Sequence, residues 1–415
     1  MLSVGEALAR VLDATPVLGP ERVPLLDALG RVAAEDVVSR RAVPAAANSA
    51  MDCYAVRAAD VAAAPVRLRV VAAVAAGTVC DTPVVAGTAV KLFTGSVIPP
   101  GADAVVKVEA TEAQDGAVLV REAVRPGANV RAAGEDVAPG AVVVRRGTTL
   151  EPADLGVLAS VGRATVLVHR RPRVVVVPTG AELVELDQEP GPGQVVNSNA
   201  VALAAAVRAA GVEPVVLPIV HDRLDDVRAR IAEAADADVV LTSGGVSVGD
   251  LDFVKAALDG LGVERLFWQV AQKPGRPLTF GRRGGRLFFG LPGNPVSALV
   301  CFWVYARPAL RRLAGHRRLH LPVVDARLAA PVRKAAGLTE FVRVALAETA
   351  AGWVATAAPS QGSGVLTALA AGAGLLVGPA PLRELPGGKS YPVIVPAASG
   401  LEREDAAPLG SGVQI

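Results

Sequence analysis

The four consecutive valines at 174–177 constrain this chain most. A continuous β-branched run keeps no polar face for water, so it reads as a strand buried on both sides. Such strands belong to sheets covered by helices on both faces. The arrangement then repeats. A helical pattern at about 199–210 leads to VVLPIV (215–220), and a helix over 224–235 leads to DVVL (238–241). A helix at about 251–259 leads to RLFFGL (286–291), which runs into a helix at about 295–313. Strand and helix alternate from Arg171 onward, which predicts a doubly wound α/β layer with a parallel core.

The flanks read differently. Residues 3–15 form a helix opened by Ser3 and Glu6 in capping-box spacing. A second helical pattern lies near Leu25–Ala34. The loop RAVPAAANSAMDCYAVR (41–57) has little periodicity. From Val66 to Val144, short β-runs (VRLRVVAAV, TAVKLFTG, DAVVKVEA, AVLVREAV, AVVVRRG) alternate with Gly/Pro turns, a small β-rich module. Residues 150–161 read as one helix. Beyond about 319 short strands return in PVVDARLAA, EFVRVALAE, GWVATAA and SYPVIVP, and 399–415 reads as an unstructured tail.

Composition removes several classes of function. Lys and Arg total 42 against 40 for Asp and Glu, a formal charge of +2. That gives no electrostatic case for nucleic acid or an acidic membrane surface, while leaving room for a locally basic pocket. Cys53, Cys80 and Cys301 show no CxxC or Cys/His spacing. They exclude a disulfide scaffold and a zinc ribbon, fit a reducing, cytoplasmic setting, and read as packing residues. A mean hydropathy of +0.42 raises the question of a membrane span. The uncharged stretch Thr349–Leu382 is long enough, but it is Ala/Gly-rich and punctuated by Pro359, Gln361 and Pro379. A spanning helix wants about 20 mainly large apolar residues. Glu6, Arg10 and Asp13 lie within the first helical pattern, which is therefore no signal peptide.

Ligands of open α/β sheets bind beyond the carboxyl ends of the strands. Those positions hold PTGAELVE (178–185), HDR (221–223), TSGGVSVGDLDF (242–253) and PGNPVS (292–297). Glu182, Asp222, Asp250 and Asp252 should converge there with Ser243, Ser247, Asn294 and Ser297. Any one loop reads equally as a helix cap; four loops in four, with acids and glycines together, do not. Gly244 and Gly245 before a helix offer N–H groups and a positive dipole end to an anion. Several carboxylates join a phosphate when a hard cation such as Mg²⁺ bridges them, so the rim reads as a phosphate-plus-metal site.

A second constellation is QVAQKPGRPLTFG (269–281). Its stiff turn displays Lys273 and Arg276, which suit a small oxyanion as well as they suit a solvated basic turn. In the β-rich module, NSAMDCYAVR (48–57) carries Asp52, FTGSVIPPGADAVV (93–106) carries Thr94, and PGANVRAAGEDV (126–137) carries Glu135 and Asp136. Singly these are ordinary turns. GGKS (387–390) imitates the end of a P-loop, but Arg383 stands where a glycine is required, so it reads as a hairpin turn. No GxGxxG follows the first strand. His316 and His320, four apart among arginines, read as a surface helix rather than a metal site.

Taken in order, NSAMDCYAVR, FTGSVIPPGADAVV, PGANVRAAGEDV, PTGAEL, TSGGVSVGDLDF, KPGRPLTFG and LPGNPVSALVCF resemble the molybdopterin molybdenumtransferases. This is the MoeA family, which includes the gephyrin E domain, and the resemblance covers about residues 3–396. It implies an α/β multidomain fold: a doubly wound αβα molybdopterin-binding domain (171–316), flanked by β-rich N-terminal parts and a C-terminal β-barrel domain (319–398). The N-terminal parts would be a linker and dimerisation domain (1–43 with 138–170) and a small β-rich domain (44–137). It implies a homodimer that transfers molybdenum from molybdate to adenylylated molybdopterin, releasing AMP with help from Mg²⁺. The adenylyltransferase and apo-molybdoenzymes are further expected partners; nucleic acid and membrane are not.

Carried over by position, the resemblance makes Asp52, Thr94, Asp136, Glu182, Asp222 and Asp252 catalytic, with Glu182, Asp222 and Asp252 as metal ligands. Asp52, Thr94 and Asp136 would come from the second subunit. Thr179, Gly180, Ser243, Gly244, Gly245, Asp250, Pro292, Gly293 and Asn294 would bind substrate. Ser247, Lys273, Arg276, Ser297, Arg343 and Ser363 would hold molybdate. Three positions depart from the family. Cys53 replaces a glycine, which would cost on the order of 1 kcal/mol if that residue has positive φ. Gln269 stands where a basic residue is common, and Arg276 where Lys is usual. Rival readings are a molybdopterin adenylyltransferase, against which the extra N-terminal and C-terminal segments argue, and a non-catalytic scaffold, against which the intact acidic rim argues. A preference for tungstate stays open.

Overall fold

Val174–Pro178, Pro214–Val216, Val239–Ser243 and Arg286–Leu291 are mutually parallel, with Pro214–Val216 at the edge and Val174–Pro178 next to it. The computed structural model describes residues 1–221, 223–245, 253–370 and 374–396. The valine run behaves as its composition demands. Val174 and Val176 face a core with Leu203, Leu241, Phe289 and Phe302, while Val177 faces a second core with Val227, Val240, Val254 and Phe288. Each such side chain contributes about 1.5–3 kcal/mol by leaving water. Helices Ser198–Ala209, Leu224–Glu233 and Phe253–Gly260 follow the first three parallel strands.

Two features of this sheet differ from the sequence reading. Glu264–Trp268 and Thr279–Arg283 extend it antiparallel beyond Arg286–Leu291. They escaped notice because an edge pair with a wet face carries charges among its apolar residues. The run VVLPIV yields only Pro214–Val216, an edge strand with Val215 and Val216 exposed. Pro218 cannot donate a ladder hydrogen bond and ends the run. The long final helix is Pro295–Cys301 and Arg307–Leu313, joined by a π turn at Phe302–Ala306. It stops at Leu313, so His316 and His320 are not on a helix as the sequence suggested. Burial, with Arg311 and Arg307 adding to it, pushes the His316 pKa down to about 4.

Met1–Pro20 groups with this body and with everything after His169. Its helix, Val4–Asp13, has the expected reciprocal cap between Ser3 and Glu6, and buries Ala7 and Val11 in the α/β core. Toward the C-terminus, Thr339–Thr349 pairs with Gly352–Ala357, which pairs with Val323–Leu328. Val323–Leu328 pairs with Ser390–Ile394, then Gly374–Gly378, which pairs back onto Thr339–Thr349. The result is a closed five-stranded barrel. The hydropathic stretch after Thr349 is thus divided among strands and the short helix Thr367–Ala370. Among the described residues, no helix is long and apolar enough to cross a membrane.

Glu21–Val168 forms the other compact unit. Its six-stranded sheet runs Ala104–Lys107, Cys53–Val56, Thr88–Leu92, Val66–Val74, Ala117–Val120, Thr111–Gln114. Alternation along Cys53–Val56 sends Tyr54 and Val56 to one core, and Cys53 and Ala55 to the other. The expected helix near Leu25–Ala34 is only a 3₁₀ turn at Leu26–Ala28. Gly30, at φ +71°, turns the chain out of helix, and Arg31 is buried beside Glu21.

Candidate active site

The strand ends that carry the four rim loops are tied together by backbone. Thr179 N donates to Ser243 O (2.9 Å), Gly244 N to Leu291 O (3.1 Å) and Gly180 N to Val220 O (3.0 Å). Gly244 has φ +101°, and a Cβ there would overlap the Thr179 carbonyl oxygen; at Gly245 (φ +65°) a Cβ would lie 2.7 Å from Val254 Cγ2. Only glycine fits either position, so the rim presents main chain where side chains would otherwise fill the space. Asn294 precedes the helix Pro295–Cys301 without a side-chain cap bond. The simple capping explanation for it fails, and its amide is available to the cleft.

The rim encloses a cleft of about 610 Å³ whose wall includes Glu182, Asn199, Gly244, Gly245, Gly293 and Asn294. Pro277, from the basic turn, and Gly364 also line it. Pro292 lines it too, while Thr179, Gly180 and Ser243 are bonded to the strand ends and to Asn199 behind it. Asp222, Ser247, Asp250 and Asp252 lie outside the described residues, so of the three expected metal ligands only Glu182 is placed. Among the described residues, no group of three His, Cys, Asp or Glu side chains could hold a metal ion.

The basic turn rests on a buried polar support. Gln272 Nε2 donates to the carbonyls of Pro274 (3.0 Å) and Gly275 (3.2 Å), and Gln272 Oε1 accepts from the Tyr305 hydroxyl. The Cys301 thiol donates to Gly275 O (3.4 Å). Gly275 has φ +88°, and a Cβ there would sit 2.5 Å from Cys301 Sγ. Burial pushes both the Cys301 thiol and the Tyr305 hydroxyl far up, so both stay protonated donors. Above this support, Arg276 is exposed and Lys273 Nζ lies 3.1 Å from Glu340 Oε1. Gln269, at the start of the turn, is one of two non-glycine residues at positive φ (+71°) among those described. Such a conformation is strained and persists only where its surroundings impose it.

Arg343 and Ser363 reach the same neighbourhood from the barrel. Arg343 is 2 % exposed; its Nη2 donates to Gly362 O (3.2 Å), while Nε has no hydrogen-bond partner. Gln361 brackets its backbone on both sides (2.9 and 3.0 Å). Ser363 O accepts from Val296 N (3.1 Å), which seats this loop on the helix that carries Ser297.

In the other unit, the three motif loops converge. Gly95 N donates to Ser49 O (2.9 Å) and Ala50 N to Asn129 O (3.0 Å). Thr94 gives both its N–H (2.8 Å) and its hydroxyl (2.9 Å) to Asp52 Oδ1. These two bonds hold the Asp52 carboxyl below its usual range. Asp136 is exposed on the third loop, its N–H bound to Val43 O (3.0 Å). The concern over Cys53 falls away. It begins the strand Cys53–Val56, opposite Leu92 and Lys107, and is not among the residues at positive φ. Its thiol meets Ser49 Oγ (2.6 Å) and Met51 O (2.7 Å), and burial pushes it up to about 11, so it is neutral.

Three family models match in chain order: the MoeA N-terminal region (domain I and II) over residues 2–162, a probable molybdopterin binding domain over 175–312, and the MoeA C-terminal region (domain IV) over 325–395. The molybdopterin molybdenumtransferase of Haemophilus influenzae is 38% identical over 347 residues, covering 83% of this chain and 85% of that protein. That of Bacillus subtilis is 34% identical over 403 residues, covering 95% and 94%. The solved MoeA structure from Pyrococcus horikoshii superposes with a TM-score of 0.80 at 31% identity, covering 95% of this chain and 100% of that one. The chain belongs to the MoeA family. It is an enzyme, a transferase with a role in molybdenum cofactor biosynthesis.

Within this MoeA fold, sequence reasoning missed residues that touch the site from below. Asn199 donates to Ser243 Oγ (2.9 Å) and Gly293 O (2.7 Å) and so joins two rim loops to the helix Ser198–Ala209. Its polar neighbours in VVNSNA were the available signal. Tyr305 and Cys301 gave none, since each reads as an ordinary core residue; Gln272 lies within QVAQKPGRPLTFG but carries no charge to single it out. Glu340 was legible only as the acid three residues before Arg343.

Proposed function

We propose that this MoeA chain transfers molybdenum from molybdate to adenylylated molybdopterin and releases AMP. The observation that carries the reading is a cleft lined by glycine backbone at the strand ends and by Pro277, the residue that directly follows the Lys273–Arg276 turn. The glycine wall suits a pyrophosphate, because backbone N–H groups approach an anion closely where no Cβ intervenes. The cations of Lys273, Arg276 and Arg343, with the hydroxyls of Ser297 and Ser363, suit a tetrahedral dianion through charge-assisted hydrogen bonds. Held side by side, the two would let molybdate exchange oxygens for the dithiolene sulfurs, those oxygens leaving as water with the thiol protons, while water cleaves the phosphoanhydride and AMP is the leaving group.

Mg²⁺ would be held by Glu182 with Asp222 and Asp252; Glu182 stands on the cleft wall, and carboxylates are the donors such a cation selects. Bound there, it would neutralise phosphoryl charge. Asp52, Thr94 and Asp136 would be supplied by a second copy in a homodimer, with Thr94 keeping Asp52 ionised. The purified protein, given adenylylated molybdopterin, Mg²⁺ and molybdate, should release AMP and activate an apo-molybdoenzyme. Absence of molybdate-dependent AMP release, or ATP consumption without molybdate, would overturn the reading in favour of a scaffold or an adenylyltransferase respectively.

A further inference from the structure

Beneath the basic turn, three cations surround one carboxylate. The strand Thr339–Thr349 pairs in parallel with Gln272–Lys273, in a register that sets Glu340 opposite Lys273. Glu340 is 4 % exposed; Oε1 lies 3.1 Å from Lys273 Nζ, and Oε2 is buried with no hydrogen-bond partner. Lys334 and Arg343 are near enough that this carboxylate raises their pKa values against the burial that lowers them. Lys334 is otherwise occupied, donating to the carbonyls of Ala335 (2.9 Å) and Leu382 (2.8 Å).

A buried carboxylate with one bare oxygen is costly to keep. Here it also stands among the side chains read as holding a dianion, where its charge opposes ligand binding. Glutamine has the same shape and could still accept from Lys273 without that repulsion. Glutamine would, however, leave Lys334 and Arg343 without this counter-charge, so the acid serves the cations around it and opposes a dianion at the same time.

We propose that Glu340 is a charge-setting, positioning residue of the oxyanion pocket. It fixes the Lys273 ammonium on the pocket wall and cancels one positive charge, so that the oxyanion is bound loosely enough to be passed to the acceptor. The inference rests on the reading of Lys273, Arg276 and Arg343 as oxyanion ligands. Gln269, neutral where the resemblance leads one to expect a base, changes the charge of the same turn in the same direction.

The test is calorimetric binding of molybdate to the full-length protein at low and high ionic strength, beside KM for molybdate and kcat for AMP release. Glu340→Gln should bind molybdate about tenfold tighter at low salt, with the gain shrinking as salt rises, because a full unit of repulsion is removed at short range. KM should fall and kcat should fall with it. A purely structural Glu340 would give the opposite sign: weaker binding and higher KM. Unchanged or weaker binding by a variant with wild-type circular dichroism overturns the proposal. Should Glu340→Gln fail to fold, Glu340→Asp decides. It draws the charge back by one methylene, so binding should tighten a few-fold, and no tightening overturns the proposal. Wild-type protein that binds no molybdate would sink the pocket reading and the inference together; wild-type binding without tightening in the variants sinks the inference alone.

Discussion

The glycine rim and the basic turn achieve rigidity by opposite means. The glycine wall has no side chains to order: Gly244 and Gly245 lie flat on Thr179 and Val254, and the backbone itself is the binding surface. The basic turn displays long side chains, and its carbonyls are satisfied from underneath by Gln272 and Cys301, with Tyr305 in turn donating to Gln272. The rim fails when something is added, the turn when something is removed.

That contrast orders the expected effects of mutation. The largest belongs to Gly244→Ala, whose methyl group has no room against Thr179. Displacing the rim by about an ångström should lower kcat/KM by about 100-fold, and rates near wild type would show that the rim yields. Next is Tyr305→Phe, which leaves Gln272 Oε1 buried without a donor, at about 1–3 kcal/mol. Thermal unfolding should show the loss, accompanied by a higher KM for molybdate; a lower midpoint without a KM change would separate the support from the pocket. Gly293→Ala is milder, since a Cβ there meets nothing nearer than Gly244 Cα at 3.7 Å. It should fold normally and raise KM for the adenylylated substrate modestly, with no change in molybdate KM. The smallest is Arg276→Lys, which keeps the charge and loses the planar fork; molybdate KM should move by about threefold or less.

The same contrast explains what could be read in the sequence. Gly244-Gly245 and PGNP follow apolar runs in a pattern that places them at strand ends, so the glycine wall was legible without any relative in view. Lys273 and Arg276 were visible as charges but equally fitted a solvated turn, because two of the three supports, Cys301 and Tyr305, lie about thirty residues away inside apolar helix. The hydrogen bonds between Asp52 and Thr94 could not be inferred from spacing, and the resemblance named the two residues without pairing them. Leu25–Ala34 was misread because its leucines have helical spacing, while Gly30 and the buried Arg31 carry the contrary information one residue at a time.

The π turn at Phe302–Ala306 gives that hidden support its geometry. One extra residue in a helix turns everything beyond it by about 100° relative to what precedes it. Here the offset lets Tyr305 reach Gln272 while Ala309, Leu310 and Leu313 remain in the α/β core. The helix is therefore out of phase with itself: residues on both sides of the π turn pack into the α/β core, and Cys301 and Tyr305 also reach the basic turn and its Gln272 support. Shortening it by one residue would restore an ideal spiral and turn one set of contacts away.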